Sequence, residues 1–244
     1  YISDTCFDKM KLEKKSWTGH RIGVVGAGPA GITIAILMAC RGYKVTIFEV
    51  REKIGGILRY GIPEFRLPKS ILDRYYTKMR ELEILFRPNF ALGGSIGVND
   101  LLKDGYDAVF IGTGTWRPRS MNIPGETYGN VHYGINYLNN PDVYDLGENV
   151  VVIGAGNAAM DVARTAVRKG SQHVTVYSIT ETPAASPKEV EYAKIDGVKF
   201  ELLQTAVEIR DDGVVICDVE WTEEGEMIKR EETARFVPAD SIII

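Results

Sequence analysis

The same succession of apolar and polar positions occurs twice along the chain. A short apolar run leads into a glycine-rich turn, then into a helical pattern and a second apolar run. The first copy covers 22–48 and the second covers 150–177, and the helical patterns within them span 29–41 and 157–169. Strands that alternate with helices form parallel sheets with right-handed crossovers. The pattern therefore predicts two βαβ units.

The segments between and after the repeats predict further elements. A helix is expected over 69–82, with strands over 84–86 and 107–111, and the turn-rich residues 116–148 are interpreted as a linker. After Ala193 the pattern changes to short alternating runs, which predict antiparallel strands. We therefore expect a small antiparallel excursion in the second unit, with strands over 199–203, 207–210, 214–220 and 226–230.

Composition excludes several classes of protein. With 244 residues, of which 45% are hydrophobic and 25% charged, the chain has an ordinary globular composition. Its net charge of -4 gives no basic field, so nucleic acid is not expected as a main partner. The longest apolar run, 32–40, is far below the roughly 20 residues that a membrane span needs. The opening segment lacks the apolar region of a signal peptide, and a cytoplasmic protein is expected.

The cysteines narrow the chemistry further. The three of them, Cys6, Cys40 and Cys217, are isolated in the sequence. This number and spacing exclude a disulfide framework, a C-x-x-C redox pair and a self-contained zinc or iron–sulfur site. No metal site is expected within the chain.

The first glycine-rich turn has the form of a dinucleotide-binding loop. Gly26 permits the tight turn, Gly28 lets the backbone approach a pyrophosphate, and Gly31 allows close packing of helix on strand. The start of the helix offers free N–H groups and a partial positive charge to phosphate oxygens. Glu49 ends the next strand, where a carboxylate can accept hydrogen bonds from a ribose diol. The alternative is a glycine-tight turn with a surface glutamate.

The second turn has the form G-x-G-x-x-A. Gly154 and Gly156 take the same roles, and Ala159 replaces the third glycine, which slightly widens the contact of helix and strand. The strand end at 177–179 carries no carboxylate, the group that would bind the free 2′-hydroxyl of NAD. It also carries no arginine, the residue that would bind the 2′-phosphate of NADP. The alternative is a degenerate repeat that binds nothing.

Motifs outside the turns identify a resemblance to a known family. The first turn with Glu49 is similar to the FAD fingerprint of flavoproteins with two dinucleotide-binding domains. More specific is the segment 55–69, GGILRYGIPEFRLPK, which resembles the glutamate synthase small (beta) subunit and its relatives, including NADPH-binding subunits of electron-bifurcating transhydrogenases. The match continues in family order to the end of the chain, through 111–118, 154–164 and 186–190.

The resemblance implies an α/β fold with two Rossmann-like dinucleotide-binding domains of the glutathione-reductase type. The FAD-binding domain would begin with 20–128, the NAD(P)H-binding domain would cover 129–240, and 241–244 would start the returning FAD segment. On this interpretation the FAD domain is incomplete at its C-terminal end. The family's cysteine-rich iron–sulfur segment lies before the first fingerprint and is missing here, so clusters are expected only outside this chain.

The resemblance also implies site residues, by position in the family's motifs. Contacts with FAD are implied for Gly26, Gly28, Pro29, Ala30, Glu49, Gly56, Leu58 and Thr113. Contacts with the nicotinamide dinucleotide are implied for Gly154, Gly156, Asn157, Ala158 and Asp161.

The function implied is that of an oxidoreductase which passes hydride from NAD(P)H to FAD and electrons onward to iron–sulfur or partner-subunit acceptors. NADP is favoured by the resemblance, and NAD stays open. No catalytic residue is assigned, because hydride transfer between cofactors needs orientation more than a protein acid or base. The alternative is a non-catalytic dinucleotide-binding module that senses redox state or acts as a scaffold.

Overall fold

In the computed structural model, which describes residues 7–9, 11–94 and 96–244, each repeat lies in its own parallel sheet. The chain divides into two units between Thr115 and Trp116. Cys6 lies outside the described residues.

The first unit is built around four strands. Its elements are β1 (Arg21–Val25), α1 (Pro29–Cys40), β2 (Lys44–Phe48), α2 (Ile57–Tyr60), α3 (Ser70–Glu81), β3 (Leu85–Arg87), α4 (Val98–Lys103) and β4 (Ala108–Ile111), after a 3-10 turn at Phe7–Lys9. The sheet is parallel, in the order β3–β2–β1–β4. The strand order reverses at β1, and open α/β sheets bind ligands in the crevice beyond the carboxyl ends of the strands at such a reversal.

The core of the first unit lies between α1 and the sheet. Small residues of the helix, Ala35 and Ala39, pack with Val24, Ile47 and Met79. Close packing of this helix fixes where its first turn lies relative to the end of β1.

The second unit contains two sheets. Its elements are β5 (Val131–His132), α5 (Gly134–Asn139), a 3-10 turn (Pro141–Val143), β6 (Asn149–Ile153), α6 (Asn157–Arg168), β7 (His173–Ser178), α7 (Pro187–Ile195), β8 (Lys199–Leu202), β9 (Gln204–Arg210), β10 (Gly213–Trp221), β11 (Met227–Pro238) and β12 (Ser241–Ile243). One sheet is parallel, in the order β5–β12–β6–β7–β8. The other is antiparallel, in the order β11–β10–β9.

The predicted boundary after residue 128 differs from the observed division. Residues 116–128 belong to the second unit because Ile123 packs in the same cluster as Ile209. The backbone N–H of Ile209 also donates to the carbonyl oxygen of Pro124, at 2.8 Å. The interpretation of 116–148 as a linker was wrong, since β5 and α5 lie within it.

The last residues of the chain form a strand of the second unit. Residues 241–244 were expected to start the returning FAD segment, but β12 pairs with β5 and β6 in the second unit's parallel sheet. Ile242 and Ile243 are fully buried there. A run of isoleucines is typical of a strand that is covered on both faces.

Within the described part of the chain, the helices are all too short or too polar to cross a bilayer.

Candidate functional site

Backbone atoms crowd the turn between β1 and α1 so closely that two of its positions have no room for a side chain. Gly26 has a φ of +99°, and a Cβ there would overlap the carbonyl oxygen of Gly112. A Cβ at Gly31 would overlap the carbonyl oxygen of Gly26. Only glycine satisfies both positions, as the sequence pattern predicts for a loop at the crevice beyond β1.

Glu49 is bound into this turn. Its side chain is buried, Oε2 accepts the backbone N–H of Ala27 at 2.6 Å, and Oε1 accepts that of Arg51 at 2.9 Å. The sequence analysis predicts a ribose contact for Glu49 but does not predict these two hydrogen bonds. A carboxylate has about four acceptor positions, so two remain for a diol.

The segment that begins at Gly55 packs on the same turn. The N–H of Gly55 donates to the carbonyl oxygen of Ala27 at 2.8 Å. A Cβ at Gly56, whose φ is +51°, would lie 2.7 Å from the Cα of Gly28. This contact explains the glycine at 56, and the φ of +125° explains the glycine at 55.

The structure therefore brings most of the predicted FAD residues to one place. Pro29 and Ala30 are exposed in the first turn of α1, and the half-buried Leu58 lies in α2, which Gly56 caps. Thr113 is exposed just after β4, the neighbour of β1 in the sheet. The residues gathered at the β1–α1 turn are Gly26, Gly28, Pro29, Ala30, Glu49 and Gly56.

The second turn is more open than the first. Gly154 has a φ of +103°, but a Cβ at Gly154 or Gly156 would meet nothing within 4 Å. Asn157 and Ala158 are exposed at the start of α6, as a ligand-facing position requires. Asp161 lies one turn further along α6, and its side chain is buried, with only 3% exposed.

Two of the glycines leave a space that a side chain would fill. Gly28 and Gly156 cap α1 and α6 with φ of -76° and -80°, which any residue can adopt. A Cβ at Gly28 would meet only the Cα of Gly56, at 3.9 Å. The first-turn N–H groups of a helix have no partner within the helix and attract anions. The two turns therefore fit a pyrophosphate each.

The residues before α7 are hydrogen-bonded to the second turn, a feature that the sequence analysis missed. The N–H of Ala185 donates to the carbonyl oxygen of Ala155 at 2.9 Å, and the N–H of Ser186 donates to Oδ1 of Asn157 at 3.0 Å. Ser186 followed by Pro187 is a typical helix start, which is the signal that could have located this segment. Two helix starts thus adjoin one glycine-rich turn.

The end of β7 presents hydroxyl groups where a 2′-substituent would be read. The buried Ser178 Oγ lies 2.9 Å from Thr180 Oγ1, which donates to the carbonyl oxygen of Thr182 at 2.7 Å. Nε1 of Trp221 donates to the carbonyl oxygen of Ile179 at 2.7 Å. The hydroxyl groups of Ser178 and Thr180 are thus hydrogen-bonded within the turn, and 178–182 contain no cationic side chain.

Nothing in the described ranges, 7–9, 11–94 and 96–244, places three His, Cys, Asp or Glu side chains together as a metal site would.

Comparison with known proteins identifies the family. The model of the pyridine nucleotide-disulphide oxidoreductase family matches residues 20–244. The chain belongs to this family. The resemblance to the glutamate synthase small subunit is confirmed, and so is the α/β class with parallel sheets. The predicted cofactors, FAD and NADP, agree with this family.

Individual relatives give the extent of the similarity. The chain is 32% identical to the glutamate synthase [NADPH] small chain of Halomonas elongata, in an alignment that covers 100% of this chain and 57% of the relative. It is 38% identical over 195 residues to the NADP(+)-dependent formate dehydrogenase subunit beta of Moorella thermoacetica, covering 76% of this chain and 27% of that one. The chain thus spans about half the length of the small chain that it matches.

A solved structure has the same fold. Mycobacterium tuberculosis FprA in complex with NADPH superimposes with a TM-score of 0.78 at 19% identity. The match covers 92% of this chain and 70% of FprA.

Proposed function

We propose that this chain is part of a flavoprotein oxidoreductase that passes hydride from NADPH to FAD and electrons onward to an iron–sulfur or partner-subunit acceptor. The observation that carries the proposal is the pair of open glycines, Gly28 and Gly156, at the starts of α1 and α6. Each leaves room for a pyrophosphate beside first-turn N–H groups. Two such turns in one chain suit a hydride donor and a hydride acceptor.

The first unit would hold FAD. The start of α1 at Pro29 and Ala30 would face the pyrophosphate, and the free acceptor positions of Glu49 would take the adenosine ribose. FMN has no adenosine ribose, so Glu49 favours FAD. When bound, FAD supplies a hydride acceptor, which protein side chains do not provide.

The second unit would hold the nicotinamide dinucleotide. The start of α6 would face its pyrophosphate, and Asn157 and Ser186 would form one wall of the site through their mutual hydrogen bond. NADPH is favoured by the relatives, which include an NADPH-dependent glutamate synthase chain and an NADP(+)-dependent formate dehydrogenase subunit. These names, a small chain and a subunit beta, also support a partner subunit for this protein.

We infer on the same grounds that the two units correspond to the FAD and NAD(P)H domains of a glutathione-reductase-like pair. Each unit has a parallel sheet with a glycine-rich βα turn.

The experiment is a binding and turnover assay on the FAD-loaded chain. NADPH should reduce two equivalents of ferricyanide, with release of NADP and a proton. Binding of both nucleotides without dye reduction would instead favour the redox sensor or scaffold.

A substitution tests the site itself. Gly156→Val should abolish NADPH binding, because the side chain occupies the space beside the first turn of α6. Gly129→Val is the matched control, since a Cβ at this exposed glycine also meets nothing within 4 Å. If Gly156→Val binds NADPH as the unchanged chain does, the second turn is not the nucleotide site.

A further inference from the structure

A buried ion cluster joins α6 to α7 in the second unit. Nη1 of Arg164 lies 3.1 Å from Oε2 of Glu189, and Nε of Arg164 lies 2.9 Å from Oδ2 of Asp196. Nη2 of Arg168 lies 3.1 Å from Oδ1 of Asp196. The side chains of Arg164, Glu189 and Asp196 are all less than a fifth exposed.

The two carboxylates hold opposite ends of α7. Glu189 lies in its first turn, three residues after Ser186, whereas Asp196 caps its last turn. Along the helix axis the backbone positions of Glu189 and Asp196 are seven residues, or about 10 Å, apart, and their side chains converge on one guanidinium. Arg164 therefore fixes the start of α7 through one bond and the end through another.

Only the start of α7 adjoins the second glycine-rich turn. Ala185 and Ser186 donate their N–H groups to Ala155 and Asn157 of that turn. A movement of the helix start would break these bonds and displace the wall of the turn. A movement of the far end, at Asp196, would leave them in place.

A buried and fully paired ion cluster adds little net stability over apolar packing, but removal of one partner leaves a buried charge uncompensated. The desolvated Arg164 contacts both acids and also lies 5.2 Å above the ring of Tyr192. This arrangement suits a role in orientation.

We propose that Glu189 is a positioning residue for the nicotinamide dinucleotide: its bond to Arg164 holds the start of α7, and with it Ser186, against the turn at 154–157. Asp196 only anchors the far end of the helix. This inference rests on the proposed function of the second unit.

The test compares Glu189→Gln with Asp196→Asn in the full chain, by calorimetric titration of NADPH and by thermal unfolding. Glu189→Gln should weaken NADPH binding about 3- to 30-fold, the range for mutations in a packed network that does not touch the ligand. Asp196→Asn should change the affinity less than about twofold. Asp196→Asn should lower the unfolding temperature at least as much as Glu189→Gln does, because Asp196 contacts two arginines.

The sign of the effect separates positioning from simple electrostatics. Removal of a carboxylate near a polyanionic nucleotide should strengthen binding by charge alone. Glu191→Gln is the matched control, because it removes the same charge from an exposed position on α7. The positioning role predicts weaker binding for Glu189→Gln only.

Hydrogen exchange gives a second readout that does not need the nucleotide. The amides of Ala185 and Ser186 should exchange faster in Glu189→Gln and unchanged in Asp196→Asn. Affinity losses that merely follow the loss of thermal stability in both variants would overturn the proposal, as would an unchanged affinity in Glu189→Gln. A chain that binds neither NADPH nor NADH before any substitution would overturn the proposed function as well.

Discussion

Replacement of Glu49 by alanine should lower both the stability of the first unit and its affinity for FAD. The buried carboxylate accepts two backbone N–H groups, from Ala27 and Arg51. A hydrogen bond to a charged group contributes about 1.5–3 kcal/mol. Loss of both should therefore lower the free energy of unfolding of the first unit by about 3 kcal/mol or more. Glu49→Gln keeps one acceptor oxygen and should lose roughly half as much.

The ribose contact adds a separate loss of affinity. One charge-assisted hydrogen bond contributes about 1–3 kcal/mol, so its loss should raise the dissociation constant of FAD about 5- to 150-fold. Flavin fluorescence measures this constant, and urea unfolding measures stability. Glu52→Ala is the control, since it removes an exposed glutamate three residues further on. A Glu49→Ala protein with unchanged FAD affinity would refute the ribose role, and unchanged stability would refute the turn-holding role.

Two further changes test the second unit. Ile179→Arg should improve the affinity for NADPH about tenfold and leave the affinity for NADH unchanged, since only the 2′-phosphate gains a partner. Position 179 is chosen because Ile179 is exposed whereas Ser178 is buried. Ile195→Arg is the control, because it adds the same charge at another exposed isoleucine. Burial and then the Asp142 carboxylate raise the pKa of Tyr137 to about 12. The pKa of an unfolded tyrosine is about 10, so the stability contributed by the neutral side chain is retained below about pH 10 and is lost between about pH 10 and 12. Tyr137→Phe removes a buried hydroxyl that has no hydrogen-bond partner among the described residues, so at pH 7 it should unfold at the same temperature as the unchanged protein or at a higher one. It should also be less sensitive to alkali; an equal alkaline loss in both proteins would contradict this.

The elements with local signals were predicted closely. The helical pattern over 29–41 corresponds to α1 at Pro29–Cys40, and the pattern over 157–169 corresponds to α6 at Asn157–Arg168. A glycine turn, a helical period and a terminal glycine all lie within a few residues of one another, so sequence alone locates such elements.

The parts that depend on distant partners could not be predicted in this way. The strand β12 exists because Ile242 pairs with Val151 and Val131, which are far away in the chain. The bond between Asn157 and Ser186 joins residues 29 positions apart. The spacing singled out Glu49 as a candidate, but its two hydrogen bonds to the backbone follow from tertiary packing.

The two glycine-rich turns differ in how much of their shape the protein itself enforces. In the first turn, a Cβ at Gly26, Gly31 or Gly56 would collide with backbone atoms of the chain. The second turn has room at Gly154 and Gly156, and it accommodates the side chain of Ala159 where the first turn has a third glycine. A turn that is already fixed loses little entropy on binding and suits a cofactor that stays bound. A more open turn, one wall of which includes the bond between Asn157 and Ser186, suits a nucleotide that must leave after each hydride transfer. On the proposed function, this asymmetry supports FAD at the first turn and the exchanging nicotinamide at the second.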